Sequence, residues 1–327
     1  MKELQDILRI VRQEPGPFAL ATLFRVEGVS YRGPGARLLT DGKTVLRGSL
    51  SGGCLEGEIL ARSAEALASG LPRLLRYDLR GEADLVWGSG SGCEGVLDIL
   101  VEPLVGFPDW MAWIEEARTS RKPLRLRTDL SREKLGRRSI PSYPGASTPG
   151  QRDECFEDFV APIALWILGA GDDSRPLARM AKELGWIVGL QDHRPAFARP
   201  ERFPEADAVL AGHPADTIPG LRLDHRSAVV LMTHNYLKDL EALRRLLPSA
   251  AGYLGLMGSR ARSAKLLAEL AVEGFQSDAR LHTPVGLDLG AGDPETIALA
   301  ILAEVQAALH GRSGGSLRDS AAAAAVS

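Results

Sequence analysis

Cysteine is scarce in this sequence, with three residues in 327. That excludes a disulfide scaffold and fits a reducing compartment. No apolar run approaches the ~18–20 residues that a bilayer-spanning helix needs. The opening MKELQDILRIVRQEPG has no signal-peptide apolar core. A cytoplasmic location without membrane insertion is therefore expected. A basic excess is also missing: 39 Lys and Arg against 42 Asp and Glu leave a formal charge of −3. This argues against a nucleic-acid or membrane-surface binder, so no nucleic-acid partner is expected. Hydrophobic residues at 45% and charged residues at 25% are ordinary for a globular chain. The length predicts about two domains, each able to bury a core. One residue is in excess. Glycine occupies 35 of 327 positions, above an average share of roughly 7%.

Periodicity divides the chain. Leu4, Ile7, Leu8 and Val11 recur at helical spacing over 2–12, and Pro15-Gly16-Pro17 stops that helix. Strand patterns follow at 18–26, 36–40 and 44–50, with Asp41-Gly42 as a hairpin signal. A helix is expected over 55–68 and a strand over 96–102. Residues 106–160 differ. After a short helix at 110–118, Arg118, Arg121, Lys122, Arg125, Arg127, Arg132, Lys134, Arg137 and Arg138 accumulate, and then prolines and glycines. The stretch reads as an exposed basic connector or hairpin edge, with docking of an acidic partner as the sharper alternative. From Ile163 onward strands and helices alternate, which predicts a parallel sheet covered on both faces. Helices are expected near 176–184, 238–247, 260–272 and 294–309. The end of the chain, RSGGSLRDSAAAAAVS, has no core pattern and reads as a disordered tail. The expected class is α/β: a smaller N-terminal α+β domain over 1–105, a connector over 106–160, a Rossmann-like parallel-sheet domain over 161–311, and a tail over 312–327.

The informative glycines cluster. Gly48-Ser49-Leu50-Ser51-Gly52-Gly53-Cys54-Leu55-Glu56-Gly57 lies between a strand and a helix. A Gly-rich turn at a helix start suits an anion, and a thiol there is expected to be a better nucleophile or metal ligand; a tight turn with a buried Cys is the plainer alternative. Gly88-Ser89-Gly90-Ser91-Gly92-Cys93-Glu94-Gly95 is a second small-residue loop with a Cys in it. Cys54 and Cys93 lack the paired spacing of a structural zinc site. Cys155 has no comparable context. Leu168-Gly169-Ala170-Gly171-Asp172-Asp173-Ser174 resembles a dinucleotide-binding turn, and Asp192 stands at the end of the next strand, where an acid meets ribose hydroxyls. Ser174 replaces the third glycine, and Asp172 and Asp173 put negative charge where a pyrophosphate would lie. Two further stretches fall at strand ends: Met232-Thr233-His234-Asn235 and Met257-Gly258-Ser259-Arg260. Gly258, Ser259 and Arg260 open a helix and could hold an anion. His234 is a candidate base, ligand contact or cap.

These residues resemble the XdhC/CoxI family, accessory proteins of molybdenum hydroxylases such as xanthine dehydrogenase. GSLSGGCLEGEI at 48–59 carries the resemblance most closely. Cys93 before Glu102-Pro103, LGAGDDSRPLARMAKELGWIVGLQDHRP at 168–195, GLMGSRARSAKLL at 255–267 and HTPVGLDLGAGDPETIALAILAEV at 282–305 follow in the same order. It covers roughly 18–105 and 160–309. The resemblance implies a maturation factor rather than an enzyme with its own turnover. Its cargo would be the molybdenum cofactor, bound, sulfurated with a cysteine desulfurase as donor, and inserted into the apo-hydroxylase. It also implies a homodimer. Many members carry His and Gly where this chain has Asp172 and Ser174, which bears on nucleotide binding more than on the fold. The resulting candidate site comprises Ser51, Gly52, Gly53, Cys54, Glu56, Gly92, Cys93, Gly169, Gly171, Asp192, His234, Gly258, Ser259 and Arg260. Cys54 and Cys93 are the candidate molybdenum contacts, and a crevice between the domains is the expected place. The rival expectation is an NAD(P)-dependent oxidoreductase, in which His193 and Arg194 would face a 2′-phosphate.

Overall fold

The apolar stripe Leu4, Ile7, Leu8 and Val11 makes helix α1 (Lys2–Gln13) and is buried along its length. The computed structural model in which this is seen describes residues 2–80, 95–141, 153–276 and 278–319. It divides the chain into two compact units, Met1–Ala161 and Pro162–Ser327.

In the first unit β1 (Phe18–Gly28), β2 (Arg37–Thr40), β3 (Val45–Gly48), β4 (Arg73–Asp78) and β5 (Gly95–Leu104) form an antiparallel sheet in the order β3-β2-β1-β5-β4. The Asp41-Gly42 hairpin closes β2 on β3, and the Asp41 carboxylate accepts the N–H groups of Lys43 and Thr44. Alternate residues of β1 feed opposite faces, as the period of a strand requires. Phe18 and Leu20 pack with α1 and with α3 (Asp109–Ser120). Ala21 and Leu23 pack with α2 (Glu56–Ser69).

The stretch expected as a connector folds into this unit. After α3 it forms a three-stranded antiparallel sheet, β7-β6-β8, from β6 (Leu124–Asp129), β7 (Arg138–Ser139) and β8 (Glu154–Phe159). Leu124 and Leu126 join the core that holds α1 and α3. The run Leu124-Arg125-Leu126-Arg127 is a period-two strand with one apolar face. Three arginines of the stretch are paired with acids of this unit. Arg127 pairs with Glu154, and Arg125 lies 3.4 Å from Asp158. Buried Arg138 grips Glu102 through two bonds of 2.7 and 2.6 Å while lying 4.0 Å from the centre of the Trp110 ring.

The second unit alternates as the pattern predicts. Its strands are β9 (Ala164–Leu168), β10 (Ile187–Asp192), β11 (Ala208–Ala211), β12 (Ser227–Leu231), β13 (Tyr253–Leu256) and β14 (Leu281–His282). All pairings are parallel, in the order β11-β10-β9-β12-β13-β14. Helices α4 (Ser174–Glu183) and α8 (Pro294–Leu309) cover the face carrying Leu165 and Ile167. Helices α6 (Tyr236–Leu246) and α7 (Arg260–Val272) cover the other face, with Leu168 and Leu231. A short α5 (Pro214–Thr217) follows β11. The strand order reverses between β9 and β12, the switch point beside which ligands of open α/β sheets bind. No helix among the described residues is long and apolar enough to cross a membrane.

Candidate functional site

In the first unit the candidate residues lie on the loop from β3 into α2. Gly48 turns at φ +88°, and a Cβ there would sit 2.0 Å from the Arg37 carbonyl oxygen, so this hairpin edge admits no side chain. The loop then folds around Glu56. Its carboxylate accepts the N–H groups of Leu50 (3.1 Å), Ser51 (3.0 Å) and Gly53 (2.9 Å) and the hydroxyl of Ser49 (2.9 Å). It accepts the Ser51 hydroxyl as well. Partial burial alone would raise this carboxyl, but the donors from Ser51, Ser49 and Leu50 outweigh it and bring the pKa down to about 2. The loop is thus a cradle for an anion, and the anion it holds is its own Glu56. Glu56 thus acts on Cys54 indirectly, because the carboxylate fixes the loop on which Cys54 rides. Ser51 completes the knot, its hydroxyl accepting the Leu55 N–H at 2.9 Å.

Cys54 is half-buried, a free thiol with Sγ 3.7 Å from the Ser51 carbonyl oxygen. Gly52, at φ +77°, lies against the Tyr31 ring, and Tyr31 is itself 70% exposed. Gly92 and Cys93 lie outside the described residues. Among the described residues no three His, Cys, Asp or Glu side chains gather as a metal site. Cys155 points into a small apolar cluster with Phe24, Leu100 and Leu130, and burial pushes its thiol pKa up. It is a packing residue.

In the second unit the turn 169–174 links β9 to α4 at the switch point. Gly169 sits at φ +116°, and a Cβ on it would come within 2.3 Å of the Met232 carbonyl oxygen. The turn therefore packs on the end of β12. Ser174, where a third glycine was the usual choice, is fully buried and donates its hydroxyl to the Gly169 carbonyl at 2.5 Å. The serine is accommodated as a tie across the turn.

The acids of this turn have partners that the local sequence does not reveal. Asp172 accepts from Arg202 at 2.9 Å. Asp173 lies 2.7 Å from His234 Nε2, and His234 holds a left-handed backbone at φ +53°. Asp192 is buried, and its carboxylate accepts the Ala170 N–H at 2.9 Å, tying the end of β10 to the Gly turn. Arg194 fills the rest, with Nε at 3.0 Å and Nη2 at 2.8 Å. Burial pushes Asp192 up, yet the hydrogen bonds from Arg194 and Ala170 leave it below the ordinary aspartate range. Arg194 also lies 3.8 Å from the centre of the Phe197 ring.

Beside these, Gly258 and Ser259 open α7 as expected, with Ser259 accepting the Arg262 N–H at 3.3 Å. Arg260 is exposed. The arginine built into the turn is Arg262, which the sequence did not single out. It donates to the Met257 carbonyl at 3.3 Å and to buried Asp239 at 2.6 Å. Asp239 also accepts the Thr233 hydroxyl at 2.6 Å. Burial leaves the Asp239 carboxyl above its usual range despite both partners. Arg262 lies 23 residues from Asp239 on another helix, so no local pattern links the two in the sequence.

A six-stranded parallel sheet with a Gly turn at its switch point defines a Rossmann-type unit, here joined to an antiparallel α/β unit with a thiol-bearing glycine loop. Residues 165–305 match the model of the XdhC Rossmann domain, and residues 11–78 match that of the XdhC and CoxI family. The chain belongs to the XdhC/CoxI family. A relative from Bacillus subtilis (strain 168), named as a probable subunit of xanthine dehydrogenase, is 28% identical over 325 residues, covering 93% of this chain and 97% of the relative. The molybdenum cofactor insertion chaperone PaoD of Escherichia coli (strain K12) is 26% identical over 289 residues, covering 88% of this chain and 81% of the relative. A crystal structure described as a xanthine dehydrogenase from Bacillus halodurans matches with a TM-score of 0.81 at 28% identity over 99% of both chains.

Proposed function

We propose that this protein is an accessory factor for a molybdenum hydroxylase. In this reading it binds the molybdenum cofactor as cargo, assists its sulfuration with a cysteine desulfurase as donor, and delivers it to the apo-hydroxylase of the xanthine dehydrogenase type. It acts as a maturation factor with no turnover of its own, as a homodimer in the cytoplasm. The observation that carries the reading is the likeness, over most of both chains, to a relative named as a cofactor insertion chaperone. The chemistry agrees with it. A half-exposed thiol on a loop held rigid by Glu56 suits a soft, sulfur-rich metal centre, and so does a thiol at Cys93. We expect protein purified from a molybdopterin-producing host to retain the cofactor. Cys54→Ala, Cys93→Ala or both should lower the molybdenum and pterin recovered per chain at least severalfold. Full retention in both variants would remove the thiols from cargo binding.

The rival, an NAD(P)-dependent oxidoreductase, draws on the Rossmann turn and Asp192. Against it stands Arg194, which takes the carboxylate oxygens that a ribose diol would need.

A further inference from the structure

A second polar group gathers at the carboxyl ends of β10 and β11, apart from the Gly169 turn. His193 follows Asp192, and His213 follows Gly212; their ring centres are 6.0 Å apart. Lys238 of α6 places Nζ 2.7 Å from His213 Nδ1. An ammonium cannot accept a hydrogen bond, so Nδ1 accepts and Nε2 carries the ring N–H. Lys238 is anchored by Glu241 at 2.7 Å, and the other Glu241 oxygen takes the Ala215 N–H at 3.0 Å. On the β10 side, His193 Nδ1 lies 3.4 Å from Asp192 Oδ1. Arg194 holds the same carboxylate through Nε and Nη2, which leaves Nη1 as a further donor.

We propose that His193, His213, Lys238 and Arg194 form a phosphomonoester-binding site. Asp192 and Glu241, the acids hydrogen-bonded into the cluster, balance Arg194 and Lys238 in formal charge and are committed to internal donors, so the N–H groups they leave unused are what the cluster offers a ligand. A sugar diol would find its acceptors on Asp192 already taken. Asp192 is tied to the Gly turn through Ala170, so a ligand lying along that turn reaches the cluster with one end. A phosphomonoester of this kind occurs as a nucleotide 2′-phosphate and as the side-chain phosphate of a pterin.

The test is calorimetric titration of the full chain with two matched pairs: NADP+ against NAD+, and a 6-alkylpterin carrying a side-chain phosphate against its dephosphorylated form. We expect the phosphorylated member of at least one pair to bind about tenfold tighter or more, equivalent to about 1.4 kcal/mol. Preference within the first pair assigns a nucleotide, and within the second a pterin. His213→Ala and Lys238→Met, both at positions outside the core, should keep the parent melting temperature and abolish the preference. No preference in either pair, or a preference that survives both substitutions, overturns the site. The proposal stands apart from the cargo reading. Cofactor retention without phosphate preference would sink the site alone, and phosphate preference without cofactor retention would sink the cargo reading alone.

Discussion

Glu56 is legible in the sequence as a candidate site residue, but its partners are not. The fold turns its carboxylate onto the backbone of 50–53 and two serine hydroxyls. A folded pKa of about 2, below the ordinary 4.5, stabilises the folded state fully above the ordinary value. That stability is lost as pH falls from about 4.5 through about 2. Glu56→Gln should cost about 2 kcal/mol at neutral pH, a drop in melting temperature on the order of 4–8 °C for a unit of this size. The gap between variant and parent should close in acid. Melts recorded from pH 7 down to pH 2.5 check this, and a gap that does not change with pH would refute the assignment. Asp172, Asp173 and Asp192 carry a similar lesson. The acids are legible in the Gly turn and at the strand end, but two of their partners, Arg202 and His234, are 30 and 61 residues away from the acids they meet.

Among elements, those with a clear apolar period were legible. The helices over 2–12, 55–68, 260–272 and 294–309 and the hairpin at Asp41-Gly42 appear within a residue or two of expectation. The strands of 106–160 were hidden by charge. Counting arginines concealed the alternation of Leu124 and Leu126, which are buried in the core they share with β1, α1 and α3. Strand β4 was missed because it is an exposed edge with few buried side chains. β14 was missed because it is two residues long. The packed status of 106–160 is testable. Leu126→Ala should cost about 2–5 kcal/mol in chemical denaturation, as a fully buried leucine does. A solvated connector would give a change within about 0.5 kcal/mol.

For the whole molecule, the two units have separate cores, one set of clusters within Met1–Ala161 and another within Pro162–Ser327. Residues 1–161 and 162–327 made as separate polypeptides should each unfold cooperatively in calorimetry, whereas a split at 105/106 should leave the first piece without Leu124, Leu126 and Arg138 and unable to melt as a single transition. Two cooperative pieces from the 105/106 split would contradict this partition. The sequence by itself determined the classes of element, the parallel character of the second unit and the glycine turns, because periodicity and backbone freedom are local properties. Tertiary structure decided where the long-range charges are neutralised: Arg138 on Glu102, 36 residues apart, and Arg262 on Asp239, 23 residues apart. Ion pairing and burial depend on which distant residues meet, and only the folded chain brings them within hydrogen-bonding distance.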